Sequence, residues 1–213
     1  MALLNFRREA ETPTNGTLTA FLDGFSMEVM PRTAEKVEDF RAILPAGTRV
    51  YVAHIEGTPI EEMVATAKRL RDEGFEPMPH FPARIIRDAL QLRDWVARYK
   101  GEAGVKQALL LGGGVKTPVG DLDNAMQLVE TGAFAGFERL HFAGHPEGNR
   151  DIDSDGTDKI VMQALKLKQK FADTTDADTA IVTQFAFEGG PIIDWVNRLA
   201  AEGIKMPVHI GIA

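Results

Sequence analysis

A single acid, Glu28, stands in the run "FSMEVM" (25–30), flanked by methionine, valine and phenylalanine. A carboxylate that stays charged in apolar surroundings is costly. Burial of that kind raises a carboxyl pKa, and a raised pKa would make Glu28 a proton donor at neutral pH. His54, His80 and His145 each fall at the end of another apolar, β-type run, and a glycine triplet, Gly112–Gly114, closes a fourth. Imidazoles exchange protons near neutrality, and glycine lets a flat ligand approach the backbone. Gln184, near the end of a sixth run, offers both donor and acceptor. The bland readings stay open at this point: histidines hydrogen-bonded in a core or rim, a plain glycine turn, and Glu28 paired with a base such as Arg32. His141 and His209 lie inside runs, no His-x-His pair appears, and no metal site is expected. "GGGVKT" departs from the Gly-x-x-x-x-Gly-Lys-Ser/Thr phosphate loop.

These residues need elements that bring strand ends together. Strands are predicted at 25–30, 49–55, 75–81, 107–113, 139–144, 179–185 and 207–213, with helices near 34–44, 60–74, 83–100, 121–134, 155–172 and 190–203. Alternation of this kind predicts parallel strands joined by crossover helices. Gly74 and Gly203 are placed to end helices, and Leu90, Trp95 and Val96 are expected to face the sheet. The pattern fits an α/β fold of the (β/α)8 TIM-barrel type better than a doubly wound sheet, whose glycine-rich first turn is replaced here by "MPRT". An open barrel leaves two edges, so the last β-α units are expected to be missing from this chain.

With 213 residues, 44% hydrophobic and 26% charged, the chain is expected to form one domain over 1–213. A net charge of −7 argues against a nucleic-acid partner. The N-terminal "MALLNFRREAETPTNG" is too charged for a signal peptide, no run is apolar enough for a membrane helix, and cysteine is absent. A cytoplasmic location is expected; the oligomeric state is left open.

Five motifs in order carry a resemblance. "FSMEVMPRT", "PMPHFPAR", "FAGHPEGN", "DADTAIVTQFAFE" and "IKMPVHIGIA" are similar to strand motifs of the methylenetetrahydrofolate reductase family, over about residues 20–213, leaving 1–19 as an extension. The resemblance implies an eight-stranded barrel that reduces 5,10-methylenetetrahydrofolate to 5-methyltetrahydrofolate, with hydride from NADH or NADPH, often relayed by FAD. It implies Glu28 as proton donor, and Gln184, Phe187, Gly113 and Gly114 against a tetrahydrofolate-type ligand. His54, His80, His145 and Lys170 would lie toward the cofactor. The chain departs from the family at Gly114, where an acid is expected, and at His145, Asn149 and Gln169. Those departures point toward the flavin-independent relatives. Arg84, Lys116 and Lys170 could meet anionic ligand groups. Two alternatives are a folate-binding or accessory barrel protein without turnover, and a lyase or aldolase. The latter would need a Schiff-base lysine at a strand end, and none of the seven predicted strands carries one.

Overall fold

The computed structural model describes residues 20 and 22–212; the expected extension, 1–19, lies outside the described residues. Seven strands alternate with helices: β1 (Ser26–Val29), β2 (Arg49–Val52), β3 (Glu76–Pro82), β4 (Gln107–Leu111), β5 (Arg139–Gly144), β6 (Asp178–Phe185) and β7 (Val208–Gly211). The helices are α1 (Pro31–Ala34), α2 (Ile60–Asp72), α3 (Ala89–Ala103), α4 (Ala125–Glu130), α5 (Lys159–Ala172) and α6 (Gly189–Ala201). All six neighbouring strand pairs are parallel, and the sheet order is β1 through β7 without a break.

The (β/α)8 barrel, whose last β-α units are expected to be missing from this chain, is not formed as a closed barrel. Among the described residues β1 pairs only with β2 and β7 only with β6, so the sheet is open. It is nevertheless strongly curled. Tyr51 on β2 and His141 on β5 lie three strand steps apart, roughly 14 Å across a flat sheet at the usual strand spacing. Their side chains meet at 2.7 Å, Tyr51 Oη to His141 Nδ1. Two side chains standing perpendicular to a flat sheet could not do that, so the sheet bends around them.

The two faces have different cores. Between the sheet and the helices, Val50, Val52, Phe81, Leu110, Phe142 and Ile181 pack against helix residues such as Leu70, Tyr99, Leu165 and Trp195. The concave face holds a smaller cluster of Tyr51, Met78 and Leu109. Strand alternation divides the residues this way. The close packing shows at Gly144, the last residue of β5, where an added Cβ would lie 2.3 Å from Ile181 Cγ2 and 2.9 Å from the Trp195 ring.

Some local expectations need correction. The predicted helix 34–44 is instead a single turn, α1, and a 3₁₀ turn over Phe40–Ala42. Arg69 of α2 explains this, because its guanidinium takes the carbonyls of Ala34, Val37 and Glu38, at 2.9, 2.6 and 3.1 Å. A continuous helix would need carbonyls of that segment for itself. Leu90 faces solvent at 74% exposure, while Trp95 and Val96 are buried as expected. Gly74 and Gly203 both adopt positive φ at helix ends.

Candidate active site at the strand ends

In parallel α/β sheets, ligands collect at the carboxyl ends of the strands. Glu28 sits in register with Tyr51 on β1 and β2, so both side chains share the concave face. Its Oε2 lies 3.4 Å from Nε2 of His80 on β3, with the His80 side chain 11% exposed and that of Glu28 59% exposed. This is long for a charge-assisted hydrogen bond, though contacts of catalytic groups often tighten only around a ligand. His80 brings the Glu28 carboxyl below its usual range, chiefly through the side-chain contact, against a smaller opposing effect of burial.

That overturns the expectation of a buried, protonated Glu28. The apolar residues beside it in sequence alternate away from it: Met27 is itself 45% exposed. Glu28 has the His80 imidazole beside it instead of an apolar shell, and its carboxylate faces the open concavity.

The other expected residues divide. His54 turns away from the concavity into the helix layer. Its ring stacks on Trp95 at 4.9 Å between centroids, and its Nε2 meets the Thr58 carbonyl at 3.0 Å. Burial lowers its pKa. His145 follows β5 directly, also with a pKa lowered by burial and, secondarily, by Lys168. Gln184, Phe187 and Lys170 are exposed, Phe187 at 81%. Phe187 and Phe185 form an edge-to-face pair at 5.8 Å, an apolar surface at the end of β6.

Gly113 has φ +96°, and a Cβ there would meet Pro82 Cβ at 3.0 Å, whereas Gly114 faces open space. The turn after β4 is tied to the turn after β3. Arg84 N donates to Gly112 O at 2.9 Å, and Val119 N to Arg84 O at 2.9 Å. Gly120 is compulsory there, since a Cβ would fall 1.7 Å from the Arg87 carbonyl oxygen. Arg84 is therefore not a free anion contact: its guanidinium holds Asp123 Oδ1 at 2.6 Å. Gln169, which departs from the resembled family, accepts from the Lys205 and Met206 amides at 2.6 and 3.1 Å and so fixes the approach to β7.

Two groups were not foreseen. Lys168 of α5 is buried under the end of β5; its spacing from Val161 and Leu165 on the apolar stripe is the signal that could have found it. Tyr51, His141 and His209 form a polar chain along the floor of the concavity, with the His141 and His209 rings 5.0 Å apart. Burial and the neighbouring His209, Arg49 and Arg139 charges push the His141 pKa down to about 2, so that imidazole is neutral. Among the described residues no group of three or more His, Asp or Glu is arranged to hold a metal ion, the acid-rich run 151–158 included. Its buried member, Asp153, instead accepts from the Ile160 and Val161 amides at 2.9 and 3.0 Å and caps α5. Among the described residues no helix is long and apolar enough to cross a membrane.

No family model matches the chain. Among solved structures it is similar to a metagenomic short-chain oxidoreductase (SDR) in complex with NADP, at 12% identity over 88% of this chain and 96% of that chain, with a TM-score of 0.40. The resemblance to methylenetetrahydrofolate reductases therefore does not stand. No family model supports it, and among the described residues the sheet is not a closed barrel. The reduction of methylenetetrahydrofolate and the relay through FAD go with it, as does the accessory folate-binding barrel.

Proposed function

We propose that the chain is an oxidoreductase using a nicotinamide dinucleotide, with the Glu28–His80 pair moving the proton that accompanies hydride transfer. One observation carries this: a carboxylate and an imidazole 3.4 Å apart at the same end of a parallel sheet, the carboxylate open to the concavity. Glu28 stands between His80 and a ligand. As a ligand atom gains negative charge, the pair delivers a proton to that atom through the Glu28 carboxyl.

The remaining features fit a flat, polar ligand. The nicotinamide supplies hydride when bound. The backbone at Gly114 faces open space and would let a dinucleotide lie against the turn. Phe185 and Phe187 offer an apolar wall for a ring. Gln184 and His145, at the ends of β6 and β5, would hydrogen-bond ligand polar groups, whereas Lys170, beside Gln169, lies toward the opposite end of the sheet. The absence of cysteine suits a reducing, cytoplasmic setting. The ligand-binding surface is concave and neither nucleic acid nor membrane is its partner.

Titration with NADPH and NADH, followed by nicotinamide fluorescence, tests the reading. Binding of one of them below about 1 mM, the upper end of ordinary enzyme affinities, is expected. No binding of either would sink it. A panel of small carbonyl compounds, scored by loss of nicotinamide absorbance, then identifies the acceptor.

A further inference from the structure

The amino-terminal end of the sheet carries a charge imbalance. Ser26, Arg49 and Glu76 stand in register on β1, β2 and β3, and Gln107, Arg139 and Asp178 on β4, β5 and β6. Strand alternation puts Arg49 on the face of Tyr51, and Arg139 on the face of His141. These residues therefore turn toward the hollow, on the far side of the Tyr51–His141 bond from His80.

Two guanidiniums converge there on one neutral atom. Gln107 Oε1 accepts from Arg49 Nε at 2.9 Å and from Arg139 Nη1 at 3.3 Å. The neighbouring acids are already engaged. Glu76 holds Arg71 Nη1 at 2.8 Å and accepts from Gln107 Nε2 at 3.1 Å, and Asp178 holds Arg139 Nη2 at 2.9 Å. Three guanidiniums thus meet two carboxylates, and the surplus positive charge falls on Arg49, which makes no ion pair among the described residues. Like charges held this close repel. Burial first, and then the Arg139 charge, lower the Arg49 pKa, yet a guanidinium stays charged at any ordinary pH.

The pair is within reach of solvent. Arg49 is half-buried, and the Arg139 side chain is 30% exposed. Among the described residues β1 has no strand beyond it, so this level of the hollow is open at the side where Ser26 stands. Arg49 bonds Gln107 through Nε, which leaves its two terminal nitrogens as a fork for a pair of oxygens.

We propose that Arg49, with Arg139 beside it, binds the carboxylate of a small organic acid at this end of the hollow. One negative charge balances the surplus, whereas a phosphate dianion overshoots it, and a planar carboxylate matches the guanidinium fork. A clamp that served only to hold Gln107 would leave the charge unbalanced. The site lies apart from Glu28 and His80 and does not rest on the nicotinamide reading.

The test is an NMR titration of the intact protein at pH 7, with sodium acetate replacing sodium chloride at constant ionic strength, followed at the arginine Nε–H resonances. Arg49 and Arg139 should shift along one saturating curve with half-saturation below about 10 mM, a weak but specific affinity. Arg41, exposed and already paired with Asp39, should not move. A linear drift at Arg49, or a shift at Arg41 as large as the one at Arg49, overturns the proposal. Arg49→Met should weaken acetate binding about tenfold or more, read at Arg139, because a charged hydrogen-bond donor is lost. Unchanged binding removes Arg49 from the site; if that variant does not fold, the wild-type curves decide alone. Tighter binding of inorganic phosphate than of acetate overturns the carboxylate assignment.

Discussion

Two ends of the same sheet handle charge in opposite ways. At β1 and β3 an acid has a histidine beside it and faces the open concavity, and the histidine lowers its pKa. At β5 a base, Lys168, has no acid beside it among the described residues and is covered, and burial lowers its pKa. In the first case the neighbour stabilises the charged form. In the second the missing water destabilises it. The acid is thereby kept ionised, whereas the base is brought toward its neutral state. What matters for each group is which of these two influences is larger.

The largest effect expected from breaking this contrast is at Glu28. Glu28→Gln keeps the shape but removes the relay, and should lower turnover by roughly 10²- to 10⁴-fold with nicotinamide affinity unchanged. A normal rate in steady-state assays would remove Glu28 from the chemistry.

Next comes Lys168. Its folded pKa, about 8, lies below the ordinary value of 10.5. Between those values the unfolded chain holds more protons than the folded one, so stability must rise with pH across that window. The shift corresponds to about 3 kcal/mol. Lys168→Met should lose that rise, as read from the difference between wild-type and variant denaturation midpoints at pH 8 and pH 10.5. Parallel curves would show the ammonium to be well solvated.

A smaller effect is expected on the floor. Tyr51→Phe leaves a buried His141 nitrogen without its hydrogen-bond partner and should cost about 1–3 kcal/mol in chemical denaturation. His80→Asn sharpens the first half of the comparison at little cost in stability. The Glu28 carboxyl should titrate higher than in wild type by NMR, because its largest pKa-lowering contact is gone. The smallest change belongs to Lys116→Ala, an exposed charge, within about 0.5 kcal/mol.

Much of the framework could be read from residue patterns. All seven strands lie within a few residues of their predicted places, because β-branched and apolar runs bounded by glycine and proline mark them clearly. The two open edges were legible in the count of seven strands, whereas the curl that brings Tyr51 to His141 was not, because no local pattern encodes it. Glu28 lies on a strand as expected, and its register with Tyr51 puts it on the concave face. Its pKa was misjudged because neighbours in sequence point to the opposite side, while its real partner, His80, arrives from two strands away. His54 misled for the same reason: one position along β2 separates the concavity from the helix layer. Lys168 was overlooked because lysines were sought in strands, whereas this one reaches a strand end from a helix. Five motifs in order suggested a family that neither the topology nor the comparisons support, and short strand motifs around proline, histidine and glycine are what parallel α/β folds commonly need at their turns.

The Tyr51–His141 contact also works as a strut. It joins the second strand to the fifth through the hollow of the sheet, so the gap between the proton-relay corner and the lysine corner is set from beneath. A thicker guest could enter only by flattening the curvature and surrendering that bond. Selection by ligand thickness would then originate in two residues that never touch the ligand.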